Sequence, residues 1–231
     1  MLDALKEAVY KANMLLVEYG LVQFTWGNAS GIDRETGLVV IKPSGVPYQE
    51  LTPDKMVVVD LAGKKIEGAL NPSVDTPTHL YLYNSFPGIG GVVHTHSTWA
   101  TVWAQAGRAI PPYGTTHADF ANGPIPCTRA LSKVQVKTDY ELNTGKIIVD
   151  CLRDNMVTPQ AVPAVLVLSH GPFTWGTDCL EAAENAATLE NIAFMARQTE
   201  AIARVRPIEQ YLLDKHYLRK HGDKAGYGQK G

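Results

Sequence analysis

The chain has 231 residues, of which 45% are hydrophobic, and its formal net charge is −2 at pH 7. This length and composition suffice for one large hydrophobic core and are typical of a single domain. The near-neutral charge, with no basic run interleaved with aromatic residues, argues against a protein that binds nucleic acid or an acidic membrane surface.

The first predicted element is an amphipathic helix. Apolar residues recur at helical spacing over residues 2–19, and Gly20 closes the segment. Charged residues interrupt this stretch, so it lacks the apolar core of a signal peptide, and nothing in the chain approaches the roughly 20 apolar residues of a membrane span. A cytoplasmic location is expected, and three widely spaced cysteines, Cys127, Cys151 and Cys179, fit free thiols there.

Two hairpins are predicted next. Strands over residues 21–26 and 38–41 form the first hairpin, and strands over residues 56–60 and 66–68 form the second. A helix then runs from Pro77 to about residue 85, because proline suits the first helical position and the residues before it suit an N-cap.

The most informative stretch follows this helix. Residues 90–93 are typical of a short buried strand, and alternation places His94 and His96 on the same side of it. Two imidazoles on one face at a strand end are a ready pair of metal ligands. Residues 164–168 and His170 repeat the pattern, and they supply a third nitrogen if the two strands lie side by side. His117 is a rival third ligand that spacing does not exclude.

The remaining elements mix helices and strands. Helices are predicted over residues 98–105, with Gly107 as C-cap, from a capping box at Asp178 and Glu181, and over residues 208–220. Strands are predicted over residues 146–151 and 165–169, and residues 110–128 are expected to be irregular. Without a regular βαβ rhythm, the pattern predicts an α/β fold: a single layered domain with a mainly antiparallel or mixed sheet flanked by helices.

Three polar loops are candidates for binding a phosphate. Glycine lets backbone N–H groups approach an anion, serine and asparagine add donors, and lysine adds charge. The loops contain Gly27, Asn28, Lys42, Ser44, Gly45, Ser73 and Asp75. Each is also an ordinary turn sequence, and Asp75 fits either a helix cap or a carboxylate that faces a metal.

A series of motifs, in order along nearly the whole chain, resembles the class II aldolase/epimerase family. The motifs are LVQFTWGN (21–28), VIKPSGV (40–46), DTPTH (75–79), VHTHS (93–97), GTTHAD (114–119), IPCTR (125–129), HGPFTWG (170–176) and KHYLRKHG (215–222). The resemblance implies one class II aldolase-like domain over residues 1–231, whose tail, 223–231, reaches a subunit interface.

The resemblance also implies roles for individual residues. The implied metal ligands are His94, His96 and His170, with Asp75 at the metal, and the metal is usually zinc. The implied phosphate site consists of Gly27, Asn28, Ser44, Gly45, Ser73 and Val74, with Lys42 nearby. Asp119 and Tyr227 are implied to act as proton donor and acceptor in the site of a neighbouring subunit of a C4 homotetramer.

Within the family, Asp75 and Asp119 favour the epimerases, because the related aldolases carry glutamate at the position of Asp75. This implies C4 epimerisation between L-ribulose 5-phosphate and D-xylulose 5-phosphate by retro-aldol cleavage, fragment rotation and re-addition, as part of pentose catabolism. The alternatives are an aldolase that releases free fragments and a non-catalytic interaction domain like the adducin head. Two positions depart from the family pattern: Val74 replaces a second serine, and Gly226 replaces a second tyrosine.

Overall fold

The computed structural model describes residues 2–222 and residue 225. In this part of the chain, seven strands form one antiparallel sheet that eight α-helices cover, which confirms the predicted fold class. The strands are β1 (Asn28–Asp33), β2 (Leu38–Ile41), β3 (Val57–Asp60), β4 (Lys65–Glu67), β5 (Gly91–His94), β6 (Ala164–Val167) and β7 (Gly171–Gly176). The helices are α1 (Asp3–Glu18), α2 (Thr76–Ser85), α3 (Thr98–Ala106), α4 (Thr115–Phe120), α5 (Lys133–Lys137), α6 (Tyr140–Asp154), α7 (Cys179–Ile202) and α8 (Gln210–His221). None of the described helices is long and apolar enough to cross a membrane.

The sheet order places the histidine-bearing strand near the centre. The order is β4-β3-β2-β1-β5-β7-β6, so β5 is hydrogen-bonded to β1 on one side and to β7 on the other. His94, the last residue of β5, lies opposite Asn28 on β1 and opposite Phe173 on β7. The predicted phosphate-binding asparagine and the predicted metal ligand are therefore direct neighbours across two strands.

Both faces of the sheet are covered, as the apolar composition of the strands requires. On β5, Val92 packs in a core cluster with residues of α2 and α6, and Val93 packs in a second cluster with residues of α1 and α7. A third cluster joins α3 to α7. This alternation follows from the two-residue period of a strand. The polar groups of the site lie instead at the end of β5, at His94.

Two predicted strands are wrong. Residues 21–26 form no strand and contain a turn at Phe24 and Thr25. The φ angles of Phe24 and Gly27, +53° and +75°, do not allow extended pairing, and strand pairing starts only at Asn28. Residues 146–151 belong to α6, where Ile147, Ile148 and Cys151 bury one helical face. The short apolar run was compatible with a strand or a helix. Over the longer segment of α6, the buried residues recur at helical spacing.

Other elements were not predicted from the sequence. The segment predicted as irregular contains α4, and neither α5 nor the buried strand β7 was predicted. Glycine and proline at its start resemble a turn. Because β7 lies between β5 and β6, the two histidine-bearing strands are not side by side, and His170 instead occupies the turn that joins β6 to β7.

Candidate metal and substrate site

Three histidines converge at one end of the central strands. His94 ends β5, His96 lies between β5 and α3, and His170 precedes β7, and each offers a ligand atom within 4.8 Å of the other two. The predicted convergence of these residues is confirmed, although strand β7 rather than a direct β5–β6 pair produces it. His117 is absent from this group: its buried ring donates from Nε2 to the carbonyl oxygen of Gly123 at 2.7 Å.

The geometry of these histidines fits a bound cation. His94 donates from Nδ1–H to the carbonyl oxygen of Pro172 at 2.9 Å, and this bond leaves its Nε2 as a bare lone pair. That Nε2 lies 3.2 Å from the Nε2 of His96. Two nitrogens on one tetrahedral zinc ion are about 3.3 Å apart, given zinc–nitrogen distances of about 2.0–2.1 Å. The donor set and its spacing therefore suit a divalent ion such as zinc.

Electrostatics favour the neutral imidazoles that a metal requires. Burial, reinforced by the neighbouring His94 and His96, lowers the pKa of His170 to about 3. Burial also lowers the pKa of His96, with a further contribution from His94. Both rings are therefore unprotonated near neutral pH and free to use a nitrogen lone pair.

Asp75 lies beside the three histidines in the same cavity. It occupies the N-cap position of α2, but its side chain makes no cap hydrogen bond. Instead its carboxylate accepts a hydrogen bond from Asn28 Nδ2 at 2.7 Å. Burial raises the pKa of Asp75, but His94 and other nearby groups outweigh burial, so the net shift is downward and the group stays ionised. This orientation favours the metal-facing interpretation over the cap.

The predicted phosphate-binding residues line the same cavity, which has a volume of about 400 Å³. Three loops bring them there: one before β1, one after β2 and one before α2. The lining residues that the sequence predicted are Gly27, Asn28, Lys42, Ser44, Gly45, Ser73, Val74, Asp75, His94, His96 and His170. The anion-binding loops and the histidines thus form one site rather than two.

Lys42 provides the cavity with a buried positive charge. Its Nζ donates to the carbonyl oxygen of Thr25 at 3.1 Å and lies 4.9 Å from the centre of the Tyr48 ring. No ion pair joins this ammonium group to a carboxylate among the described residues, and burial lowers the pKa of Lys42 to about 8. A desolvated cation without a carboxylate partner is suited to bind an anionic ligand such as a phosphate.

Asp119 does not line this cavity. It lies in a separate cavity of about 650 Å³, where its carboxylate accepts hydrogen bonds from Arg219 at 3.1 and 3.2 Å and lies 3.0 Å from His216 Nδ1. Burial raises the pKa of Asp119, but His216, Lys220 and Arg219 together produce a net lowering. A single chain therefore does not bring Asp119 to the histidines, and Tyr227 lies outside the described residues.

The sequence missed several residues of the cavity wall. They are Thr25, Trp26, Pro43, Tyr140 and Glu141. Tyr140 matters most, because its hydroxyl oxygen lies 3.1 Å from Nδ1 of His170. It stands at the start of α6, and no local pattern could indicate a contact with a turn thirty residues further along the chain.

Known proteins are similar to this chain along nearly its whole length. A family model described as "Class II Aldolase and Adducin N-terminal domain" matches residues 7–196. Curated relatives named L-ribulose-5-phosphate 4-epimerase UlaF, from Salmonella paratyphi C and Salmonella typhi, are 56% identical over 230 residues. Each comparison covers 99% of this chain and 100% of the relative.

Solved structures share the fold. An L-fuculose 1-phosphate aldolase is 24% identical, with a TM-score of 0.78 over 92% of this chain and 94% of the other. YgbL from Escherichia coli, described as a putative aldolase/epimerase/decarboxylase, is 23% identical, with a TM-score of 0.71 over 92% and 97% of the two chains. At this level of identity, the likeness concerns the fold alone.

Proposed function

The chain belongs to the class II aldolase and adducin N-terminal domain family, and from this premise we propose that it interconverts L-ribulose 5-phosphate and D-xylulose 5-phosphate by epimerisation at C4. Full-length similarity to curated relatives with that epimerase name carries the proposal. The cavity supports it, because an anion-binding wall and a cluster of three metal-ligating histidines line the same space.

The chemical problem is the inversion of a carbon that carries no acidic hydrogen. C4 of a 2-ketopentose is not adjacent to the carbonyl, so simple deprotonation there is ineffective. In the proposed route a base removes the proton of the C4 hydroxyl, and the C3–C4 bond breaks with its electron pair moving towards the C2 carbonyl. The aldehyde fragment rotates, the bond re-forms on the other face, and the new C4 oxygen regains a proton.

The residues proposed to hold the metal are His94, His96 and His170, with Asp75 beside them. A divalent ion, for which zinc is our first candidate, supplies a Lewis acid that stabilises negative oxygen charge in the opened sugar. Of the three histidines, His96 and His170 have lowered pKa values and are neutral donors near neutral pH. The bond from His94 Nδ1–H to the Pro172 carbonyl holds that ring in the orientation a ligand needs.

The part of the cavity wall formed by the three loops is proposed to hold the phosphate. Backbone N–H groups of the three loops, with the ammonium group of Lys42, would bind it and keep the glycolaldehyde phosphate fragment in the cavity while it rotates. At Val74 only the backbone can donate, so this wall has one donor fewer than the family pattern. The adjacent Ser73 hydroxyl accepts a hydrogen bond from Asn28 at 3.0 Å, which ties two of the loops together.

Proton transfer is proposed to use groups from a neighbouring subunit. Two proton-transfer groups on opposite faces suit an inversion, and we assign these roles to Asp119 and Tyr227. Since Asp119 lies outside the cavity of its own chain, the assignment requires an oligomer, which we propose is a C4 homotetramer. We also propose a cytoplasmic location, in agreement with the three free cysteines of the described chain.

The deciding experiment incubates the purified protein with L-ribulose 5-phosphate, with and without a chelator. We expect D-xylulose 5-phosphate to form in the untreated sample and to disappear after chelation, with zinc restoring it. Formation of the product at full rate in protein shown to be free of divalent metal would contradict the proposed metal dependence.

The same assay separates the alternatives. An aldolase would release free glycolaldehyde phosphate and dihydroxyacetone, whereas the epimerase retains both fragments. A non-catalytic domain like the adducin head would give neither product nor stoichiometric metal. Retention of all three histidines in one cluster argues against that reading.

A further inference from the structure

Helix α3 connects the two segments that carry the histidines. It begins two residues after His96, and near its other end the carbonyl oxygen of Ala104 accepts a hydrogen bond from the backbone N–H of Ser169, the residue before His170. A Cβ on Gly171 would lie 2.7 Å from the Thr95 carbonyl oxygen, so the His170 turn is also packed directly on the segment that carries His96. The position of α3 therefore affects both sides of the histidine cluster.

The N-terminus of α3 has no cap of its own. Ser97 occupies the N-cap position, but its side chain accepts no cap hydrogen bond. Two N–H groups of its first turn are instead bound by Glu190 on α7, whose two carboxylate oxygens accept from Trp99 N at 2.8 Å and from Ala100 N at 2.9 Å. A carboxylate bound to N–H groups at a helix N-terminus combines charge-assisted hydrogen bonds with a favourable helix dipole.

Other contacts make α7 a firm support for this interaction. One turn further along α3, the indole Nε1 of Trp103 donates to the carbonyl oxygen of Ala193 at 3.0 Å. The rings of Trp99 and Phe194 meet edge to face, with centroids 5.0 Å apart. Since α7 itself packs on β5 and β7, Glu190 links the segment after His96 to a helix fixed on the same central strands.

We propose that Glu190 is a positioning residue for the metal centre: by holding the first turn of α3, it fixes His96 relative to His94 and His170. It touches neither the histidines nor the cavity, so it acts through the backbone of residues 97–100. This inference rests on the proposed metal-binding function of the three histidines. It predicts that loss of the Glu190 carboxylate weakens metal binding in a chain that remains folded.

The test compares zinc affinity in the wild type, Glu190→Ala and Glu190→Gln, measured by competition with a chromophoric chelator. Thermal midpoints of the metal-free proteins are recorded in parallel. We expect Glu190→Ala to weaken zinc binding about tenfold or more, the range seen when a hydrogen-bonded support of a metal ligand is removed. Glu190→Gln keeps one acceptor oxygen without the charge, so its effect should be intermediate. If Glu190→Ala does not fold, the glutamine variant carries the comparison.

The matched control is Glu200→Gln on the same helix. The Glu200 carboxylate accepts hydrogen bonds from Arg108, at 2.8 and 2.9 Å, and from Tyr113 at 2.7 Å, and Arg108 follows the C-terminal end of α3 rather than its first turn. This control should bind zinc like the wild type. Wild-type zinc affinity in a folded Glu190 variant, or equal weakening in the control, would overturn the proposal. A lower thermal midpoint with unchanged zinc affinity would show a purely structural role and also overturn it.

Failure of the proposed function gives a different result. If the wild-type protein binds no divalent ion, both the proposed metal centre and the proposed role of Glu190 are contradicted. If the wild-type protein binds zinc but forms no D-xylulose 5-phosphate, the proposed reaction is contradicted. The zinc affinities of the variants then still decide the role of Glu190.

Discussion

Tyr140 contacts one of the three histidines that are proposed to bind the metal. Its hydroxyl lies 3.1 Å from Nδ1 of His170, and its ring forms part of the cavity wall. We expect Tyr140→Phe to keep the fold and to weaken zinc affinity about tenfold, because the ligand loses the hydrogen-bond partner that orients its ring. The control is Tyr211→Phe, which alters an exposed hydroxyl on α8. Equal zinc affinity in all three proteins would show that His170 needs no such support.

Lys42 gives the proposed substrate binding a defined pH dependence. Burial depresses its pKa to about 8, so in the free site Lys42 is positively charged below that pH and loses its charge above it. A phosphate monoester carries its second negative charge only above a pH of about 6. The KM for L-ribulose 5-phosphate should therefore be lowest between about pH 6 and 8 and rise above pH 8.

The variant Lys42→Met tests that assignment. It should raise KM at pH 7 by about tenfold or more, since it removes a desolvated cation opposite the phosphate, and it should abolish the rise above pH 8. Steady-state kinetics from pH 6 to 9.5 give both results, with Lys55→Met as a control at a lysine away from the cavity. A variant whose KM still rises above pH 8 would assign that titration to another group.

The histidine pair was readable from sequence because the constraint is local. His94 and His96 are only two residues apart, so they stay close together although β5 ends at His94. Asp75 was ambiguous, since the same residue suits a cap or a site, and only its bond to Asn28 decides. Tyr140 and Glu190 gave no signal, because each acts on a segment distant in sequence.

At the scale of elements, the caps that end helices and the long amphipathic helices were predicted well. The Asp178 cap of α7 and the left-handed C-cap Gly107 of α3 are confirmed. Short apolar runs were not, because four to six residues fit a strand or one face of a helix equally. Strand β7 was missed because its pairing on both sides outweighs the turn preference of its first two residues.

The close packing of the His170 turn on β5 leads to a prediction for Gly171. A methyl group there would lie 2.7 Å from the Thr95 carbonyl oxygen and 3.2 Å from the His96 ring. Gly171→Ala should therefore displace the turn, lower the free energy of unfolding by about 1–3 kcal/mol and weaken zinc binding. Chemical denaturation and zinc titration measure the two effects. Gly114→Ala, where the new Cβ meets nothing within 4 Å, should change neither.

At the scale of the whole molecule, the separation of the two cavities bears on the proposed oligomer. The cavity with the histidines lacks Asp119, and the cavity with Asp119 lacks the histidines. If a neighbouring copy completes each site, Asp119→Asn should lose epimerisation while it keeps its metal. An Asp119→Asn protein that epimerises normally would exclude the assigned role.

Subunit mixing tests the shared site directly. Asp119→Asn and His96→Asn chains should each be inactive alone, because each damages one half of the site. Co-expressed, they form some interfaces that combine both intact halves, about a quarter of the total for random mixing in a closed ring. Recovered activity near that fraction supports sites between subunits. No recovery in assemblies shown by mass to contain both chains would contradict it.

The sheet order also determines which half of the cavity comes apart first when the sheet frays from a given edge. Strands β4 and β6 are at the edges, whereas β5 is flanked on both sides. Fraying from the β4 edge reaches β3 and β2, and with them Lys42, before it reaches β5. In hydrogen–deuterium exchange, we expect amides of β5 to be among the last to exchange. A molecule opened from the β4 edge would thus lose its hold on an anion while its imidazole cluster is still assembled, whereas fraying from the β6 edge would reach the His170 turn first.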